Sequence, residues 1–99
     1  MQYNYEWDPV KAKQNQKKHQ VSFQRAAEIF RDPLSISIPD DEHSLTEERW
    51  ITMGEDSRKA ILVVVHTFQA IDEKSSNIRI ISARKATRKE MKHYRRDRS

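Results

Sequence analysis

The chain contains no cysteine and a single glycine. The absence of cysteine excludes disulfides and thiolate catalysis, and one glycine cannot supply a glycine-rich phosphate-binding loop. Motifs for a serine or cysteine nucleophile and the His-Glu-x-x-His zinc motif are also missing. No apolar run approaches ~18 residues and the N-terminus lacks a charged-then-apolar signal pattern, so we expect a soluble cytosolic protein without a membrane segment.

The composition indicates one small, basic domain spanning residues 1–99. Hydrophobic residues make up 35% and charged residues 34%, and a chain of this size buries roughly 60–65% of its unfolded surface. Lysine and arginine total 19 against 15 acidic residues, a net charge of +4. The excess is concentrated near the C-terminus, which favours a nucleic-acid partner. The cations there are Arg79, Arg84, Lys85, Arg88, Lys89, Lys92, Arg95, Arg96 and Arg98.

The N-terminal part predicts a strand followed by a polar helix. Aromatic and polar residues alternate over residues 3–7, which is typical of a strand. Asp8 followed by Pro9 is a helix start, and we expect the helix to cover residues 9–18. Its polar stripe admits two interpretations, a solvated face or a face that presents Lys18 and His19 to a ligand. The stripe comprises Lys11, Asn15 and Lys18, with His19 following.

The remaining elements complete a predicted α+β domain. Ser22 caps a second helix with a core-facing stripe of Phe23, Ala26, Ala27 and Phe30. Strands are expected at residues 34–38, 48–53, 60–67 and 78–81, with a turn at 54–58 and a polar loop at 69–76. Thr87 and Glu90 have the spacing of a capping box at the start of the last helix. We therefore expect N-terminal helices packed on a mainly antiparallel four-stranded sheet, with a C-terminal helix.

An acidic loop at residues 39–44 is the one place where carboxylates stand beside a histidine, His43. A metal site needs further ligands at suitable spacing, and no such pair accompanies this loop. We interpret it as a solvated loop and expect neither a metal nor another cofactor.

What remains for chemistry is a set of cations and imidazoles. RNA carries its own nucleophile, the 2′-hydroxyl, so cleavage needs only a base, an acid and cations that stabilise charge on the phosphorus centre. None of these requires a metal. The candidates are Lys18, His19, Arg49, His66, Arg79, Arg84, His93 and Tyr94.

Several of these candidates have simpler structural interpretations. His66 shares strand parity with buried neighbours, so packing or hydrogen bonding is expected for it. His93 fits a surface position, and Tyr94 with Met91 fits a contact that docks the last helix. Arg79 and Arg84 are the preferred catalytic candidates, because a strand end and turn hold side chains rigidly toward a ligand.

The order of motifs along nearly the whole chain resembles the BrnT toxin family. The motifs are Trp7-Asp8-Pro9-x-Lys11-Ala12-x-x-Asn15-x-x-Lys18-His19, Val21-Ser22-Phe23-x-x-Ala26, Phe30-x-Asp32-Pro33, Glu48-Arg49-Trp50-Ile51, Val63-Val64-Val65-His66-Thr67 and Arg79-Ile80-Ile81-Ser82-Ala83-Arg84-Lys85-Ala86. Gln20 departs from the glycine expected after Lys-His. The resemblance implies a RelE-like fold and ribonuclease activity that inhibits translation. It also implies a BrnA antitoxin with a ribbon–helix–helix part, and repression of operator DNA by the complex.

We therefore interpret the chain as a metal-independent RNA endonuclease toxin that a protein antitoxin neutralises. The expected catalytic residues are Arg79, Arg84, His19, Lys18 and Arg49. The expected RNA-binding residues are Lys85, Arg88, Lys89, Lys92 and Arg95. Two alternatives are a non-catalytic RNA- or DNA-binding module that uses the basic C-terminal helix, and a protein-interaction domain whose cations meet an acidic partner.

Overall fold

The computed structural model describes residues 2–43 and 47–98, and the side chains of residues 2–42 and 47–95. This part of the chain forms six strands and three α-helices. The strands are β1 (Gln2–Glu6), β2 (Ile36–Pro39), β3 (Arg49–Glu55), β4 (Ile61–Thr67), β5 (Gln69–Ala70) and β6 (Ser75–Lys85). The helices are α1 (Pro9–His19), α2 (Phe23–Glu28) and α3 (Arg88–Arg98), with 3-10 helices at Ile29–Arg31 and Asp41–His43.

All six strands form one sheet, in the order β1-β6-β4-β3-β2, with β5 pairing part of β6. β1 runs parallel to β6, and the other pairs are antiparallel. The predicted α+β class and antiparallel meander are confirmed, but the predicted four-stranded sheet is wrong. The N-terminal strand joins the sheet as a parallel edge, and the predicted polar loop at 69–76 contains β5. That hairpin closes because the Asp72 carboxylate accepts hydrogen bonds from the backbone N–H groups of Lys74 and Ser75.

One face of the sheet carries the hydrophobic core, covered by α1 and α2. The predicted stripe on the second helix is confirmed: Phe23 and Ala26 are fully buried, and Ala27 and Phe30 pack against the core. Burial of such side chains contributes about 1.5–3 kcal/mol each for the larger ones. The buried core residues are Val21, Phe23, Ala26, Ile29, Leu62, Val64, Ile78, Ile80 and Ala83.

Three strands have boundaries that differ from the sequence prediction by two residues or more. β6 runs from Ser75 to Lys85, so Arg84 and Lys85 lie inside the strand rather than in a turn after it. β2 begins at Ile36, because the Asp32 carboxylate accepts a hydrogen bond from the Leu34 N–H and holds a turn before it. Gly54 lies inside β3, although the sequence predicts a turn from that residue onward. A Cβ at Gly54 would lie 3.0 Å from the Ile29 Cβ. A residue without a side chain is therefore needed here, because Ile29 packs closely against the backbone of β3.

The ends of α1 combine a favourable cap with a strained one. The Asp8 carboxylate accepts a hydrogen bond of 2.8 Å from the Val10 N–H, as predicted for an N-cap. Gln20 follows the last turn in the left-handed conformation, with φ 60° and ψ 31°. Glycine is the residue that most often adopts this conformation at a helix end, so Gln20 is an unfavourable residue at this position.

The predicted capping box of α3 is confirmed. The Glu90 carboxylate accepts a hydrogen bond from the Thr87 N–H, and the Thr87 hydroxyl accepts one from the Glu90 N–H. Tyr94 is almost fully buried and its hydroxyl donates to the Asp32 carboxylate. Tyr94 therefore docks the helix, as predicted. Across residues 2–43 and 47–98, no helix is long and apolar enough to cross a membrane.

Candidate active site

The candidate site lies on the outer face of the sheet, opposite the hydrophobic core, and extends to the edge of β6 that α1 meets. Side chains alternate along a strand, so Ser82 and Arg84 point away from the core residue Ala83. On β3 the outer face carries Arg49 and Ile51 by the same alternation. Two predicted catalytic residues, from segments more than 30 positions apart, are thus on one surface.

A groove of about 290 Å³ runs between α1 and β6. Lys18 and His19 line it from the helix, and Ile81 and Ser82 line it from the strand. Lys11 and Lys18 are exposed, so the polar stripe is solvated and also borders this groove. The full lining is Lys11, Gln14, Asn15, Lys18, His19, Ile81 and Ser82.

Asn15 fixes α1 against the sheet at this groove. Its amide donates hydrogen bonds of 2.9 Å to the carbonyls of Val21 and Ala83, and its carbonyl accepts one of 3.0 Å from the Ala83 N–H. β1 pairs with β6 only as far as Arg79, so the Asn15 amide satisfies this edge of β6 as a neighbouring strand would. Asn15 is 7% exposed.

A second groove of about 360 Å³ lies on the other side of the same strand segment. Its lining residues are Asp40, Glu42, Arg49, Ile51, Val65, Ile81 and Ser82. Ile81 and Ser82 belong to both grooves, so Lys18 and His19 approach them from one side and Arg49 from the other. We call these two grooves together the cationic groove, because Lys11, Lys18 and Arg49 outnumber its two carboxylates, Asp40 and Glu42.

Arg79 and Arg49 share one carboxylate. The Glu47 carboxylate accepts a hydrogen bond from the Arg79 guanidinium and lies 3.8 Å from the Arg49 guanidinium. Two cations that converge on one anion also fit a phosphodiester. All three side chains are partly exposed, so a larger anion can reach them.

Arg84 is engaged by α3. Its two terminal nitrogens donate to the two oxygens of Glu90, at 2.8 and 2.9 Å. This hydrogen-bonded pair lowers the pKa of Glu90 from 4.5 to about 2 and raises the pKa of Arg84. Arg84 lies two residues beyond Ser82 on the same face, outside the lining of the cationic groove.

The predicted RNA-binding cations are exposed, and they divide into two groups. Arg88, Lys92 and Arg95 follow an i, i+4, i+7 spacing on α3 and form one solvated stripe. Lys89 instead lines a separate cleft on the outer face. Lys85 lies at the end of β6, on the opposite side of the strand from Arg84.

His66 and His93 do not line the cationic groove. His66 is buried, bonded through Nε2 to the Thr52 hydroxyl at 2.6 Å and packed edge-on against Phe30. Burial lowers the pKa of His66, which keeps it neutral, and its predicted packing role is confirmed. His93 is exposed on α3.

Of the acidic loop predicted at 39–44, Ser44 and the His43 side chain lie outside the described residues. Within the described part, no three of His, Asp or Glu are grouped to hold a metal ion.

Sequence reasoning missed Ser82 and Glu47 as members of the site. Ser82 could have been found from strand alternation, since it shares parity with Arg84. Glu47 meets Arg79 across 32 positions, and no local pattern indicates that contact. Asn15 was placed on the correct stripe, but its role in holding α1 to β6 was not predicted.

Comparison with known proteins places the chain in a family. A family model described as the ribonuclease toxin BrnT of a type II toxin–antitoxin system matches residues 7–90. A search of curated proteins gives no match. The fold is similar to a crystal structure of the Brucella abortus ribonuclease toxin BrnT, with a TM-score of 0.58 and 20% identity over 89% of this chain and all of that one. The chain therefore belongs to the BrnT family of ribonuclease toxins of type II toxin–antitoxin systems.

Proposed function

We propose that this chain is a metal-independent endoribonuclease whose active site is the cationic groove. The observation that supports this is the convergence of Lys18, His19 and Arg49 on the two residues Ile81 and Ser82. Attack by the 2′-hydroxyl of RNA on the adjacent phosphate needs proton transfer and stabilisation of developing negative charge. An imidazole and several cations on one groove supply both.

His19 is the proposed proton-transfer residue. Among the side chains that the structure describes, it is the only imidazole that lines the cationic groove. Lys18 and Arg49 are proposed to stabilise the charge on the phosphorane oxygens. Arg79 adds to this when the substrate phosphate displaces Glu47, because the carboxylate already occupies a position between two guanidinium groups.

Arg84 remains a predicted catalytic cation. Its bond to Glu90 uses both terminal nitrogens, but a guanidinium has five N–H donors and can bind phosphate in addition. We expect Arg79→Ala and Arg84→Ala each to abolish RNA cleavage and growth inhibition, while thermal melts show folded proteins. Two folded variants that cleave at the parental rate would leave Lys18 and His19 as the catalytic centre.

The biological setting follows from the family and completes the proposal. A type II toxin acts with an antitoxin, and we propose a BrnA-like antitoxin with a ribbon–helix–helix part that carries the complex to operator DNA. RNA cleavage in the cytoplasm would then inhibit translation when the antitoxin is lost. The wider relation to RelE-like toxins is likewise a proposal.

The direct test is cleavage of end-labelled RNA in EDTA. We expect defined fragments that end in 2′,3′-cyclic phosphate, because the 2′-hydroxyl is the nucleophile. His19→Gln should slow single-turnover cleavage by about 10²–10⁴-fold, the usual contribution of general acid–base catalysis. The matched control is His93→Gln, which removes an exposed imidazole outside the groove. Cleavage by His19→Gln at the parental rate would refute the assignment.

A second candidate function, non-catalytic nucleic-acid binding, is favoured by the exposed stripe Arg88, Lys92 and Arg95 on α3. If these residues bind only phosphates, removing one of them should reduce the slope of log affinity against log salt by roughly 0.7 on single strands. We expect the Arg88→Gln, Lys92→Gln double variant to bind RNA more weakly, with a smaller slope and nearly unchanged single-turnover cleavage at saturating enzyme.

The control for this experiment is a Lys13→Gln, Lys17→Gln double variant, which removes two exposed cations from α1. The two double variants have the same net charge, so a difference between them reports position rather than total charge. If no variant and no parental protein ever cleaves RNA, with or without ribosomes or added divalent metal, the binding module replaces the endonuclease.

A further inference from the structure

The outer face has a second, chemically different cleft beside the cationic groove. Its volume is about 300 Å³, and aliphatic side chains from three strands form its floor. One wall is α3. We call it the apolar cleft, and its lining is Ile36, Ile38, Ile51, Met53, Val63, Lys89, Glu90 and His93.

The floor of the apolar cleft is open to solvent. Ile38 is 54% exposed, and Ile36, Ile51 and Met53 are only partly buried. β2 is the edge of the sheet, and no described strand pairs with its other side. A contiguous aliphatic surface of this kind, framed by polar residues, is typical of an interaction site.

The lining favours protein over nucleic acid as the occupant. RNA bound at such a floor would lose hydration of its phosphates without gaining a partner. The lining contains no Phe, Tyr or Trp for base stacking, and its one imidazole, His93, belongs to the α3 wall rather than to the floor. The wall supplies Lys89, whereas the charge of Glu90 is already compensated by Arg84. An aliphatic floor with a basic wall is complementary to aliphatic side chains flanked by carboxylates.

We propose that the apolar cleft docks an amphipathic helix of the antitoxin, with aliphatic residues on the floor and acidic residues against Lys89. This rests on the proposed function, which supplies a protein antitoxin as partner. A helix whose apolar residues recur at i, i+3 or i+4 and i+7 fits a groove between a sheet and another helix. Charge complementarity at the wall also accelerates association.

The position of the cleft explains how docking would inhibit cleavage. Ile51 lines both the apolar cleft and the cationic groove, so an occupant of the cleft lies directly beside the RNA site. RNA and antitoxin then compete for adjoining parts of one face. No change of fold is needed for inhibition.

The test uses the full-length toxin, the purified antitoxin of the same toxin–antitoxin pair and labelled RNA. Ile38→Glu places a carboxylate on the floor of the cleft, where it repels an acidic helix and disfavours aliphatic contacts. We expect roughly a 10-fold or greater loss of antitoxin affinity, as for truncation of a central interface residue, and RNA cleavage that the antitoxin no longer inhibits. Cleavage without antitoxin should be unchanged, because Ile38 is outside the cationic groove.

The chain offers a closely matched control. Ile71 is also 54% exposed and lies just after β5, outside the lining of the apolar cleft. Ile71→Glu makes the same chemical change and should leave antitoxin affinity at the parental value. Thermal melts check folding, and Ile38→Ser replaces Ile38→Glu if the charged variant unfolds.

Three results would overturn the proposal. One is that the folded Ile38 variant binds the antitoxin with the parental affinity, or that Ile38→Glu and Ile71→Glu lose the same amount of antitoxin affinity. Another is loss of RNA binding with antitoxin affinity intact, which would make the cleft an RNA surface. The third is a toxin dimer that Ile38→Glu dissociates while antitoxin binding persists, which would make a second copy the occupant. A parental toxin that binds antitoxin but never cleaves RNA would refute the proposed function and leave the docking result standing.

Discussion

Replacing Asn15 by leucine removes the contact that holds α1 to the edge of β6 beyond its pairing with β1. The side chain is nearly isosteric, so the change deletes three hydrogen bonds without leaving a large cavity. The N–H and C=O of Ala83 and the C=O of Val21 lose the Asn15 side chain as their partner. An unsatisfied buried polar group costs about 1–3 kcal/mol, so for these three groups we expect a loss of roughly 3–9 kcal/mol in the free energy of unfolding.

This loss is large compared with the total stability of a small domain, about 5–15 kcal/mol. Urea unfolding followed by circular dichroism should give the difference directly. In thermal melts, a shift of at least about 4 °C per kcal/mol predicts a fall in Tm of about 12 °C or more. Cleavage should fall as well, because Lys18 and His19 lose their fixed distance from Ser82.

Two further variants make the reasoning refutable. Gln16→Leu changes an exposed position of the same helix and should alter stability by no more than about 0.5 kcal/mol. Asn15→Asp keeps the acceptor for the Ala83 N–H but places a carboxylate against two carbonyl oxygens. Its stability should rise relative to the parent as the pH falls, because a protonated carboxyl donates again. If Asn15→Leu is as stable as Gln16→Leu, the three bonds do not anchor the helix.

Four other changes have expected outcomes. Gly54→Ala should destabilise by about 1–3 kcal/mol in urea unfolding, because the new Cβ would lie 3.1 Å from a core backbone carbonyl oxygen. Gln20→Gly should raise Tm by a few degrees, because glycine adopts the left-handed backbone conformation without the cost of about 1–2 kcal/mol that Gln20 bears there. A lower Tm would contradict this. Tyr94→Phe should cost about 1.5–3 kcal/mol by removing the hydrogen bond from its buried hydroxyl to the partly buried carboxylate of Asp32. Glu90→Gln should make the free energy of unfolding less dependent on pH in the acid range. The lowered pKa of Glu90 means that its carboxylate stabilises the folded protein above pH 4.5, and this stabilisation is lost as the pH falls toward about 2. Because Glu90 and Arg84 are 32% and 42% exposed, that contribution is at most about 1 kcal/mol, and identical pH profiles for parent and variant would exclude it.

Local features of the fold were predictable because their physical causes lie within a few residues. The Asp8 cap and the Thr87–Glu90 capping box follow from backbone donors at helix starts. The stripe of α2 and the parity of His66 follow from the periods of helix and strand. These features predicted the α+β class, and they predicted that His66 packs in the core rather than takes part in the site.

The candidate site was only partly predictable from the sequence. Lys18, His19 and Arg49 were selected for their chemistry, but the reason to group them is the shared segment Ile81–Ser82. Arg84 was selected because it was expected in a turn after a strand, but it lies inside β6. Its bidentate contact with Glu90 depends on where α3 turns back. Charge and spacing alone do not distinguish a cation that lines a groove from one that is paired with a carboxylate.

The sequence by itself determined the helices, the central strands, the basic C-terminal segment and the family to which the motifs belong. Only the tertiary structure decided that β1 pairs in parallel with β6, that Asn15 completes the edge of that strand, and that Glu47 reaches Arg79. These contacts join residues between 32 and 73 positions apart. Caps and periodicity act through neighbouring residues, whereas the energy of a distant contact exists only once the intervening chain has closed and its register is set.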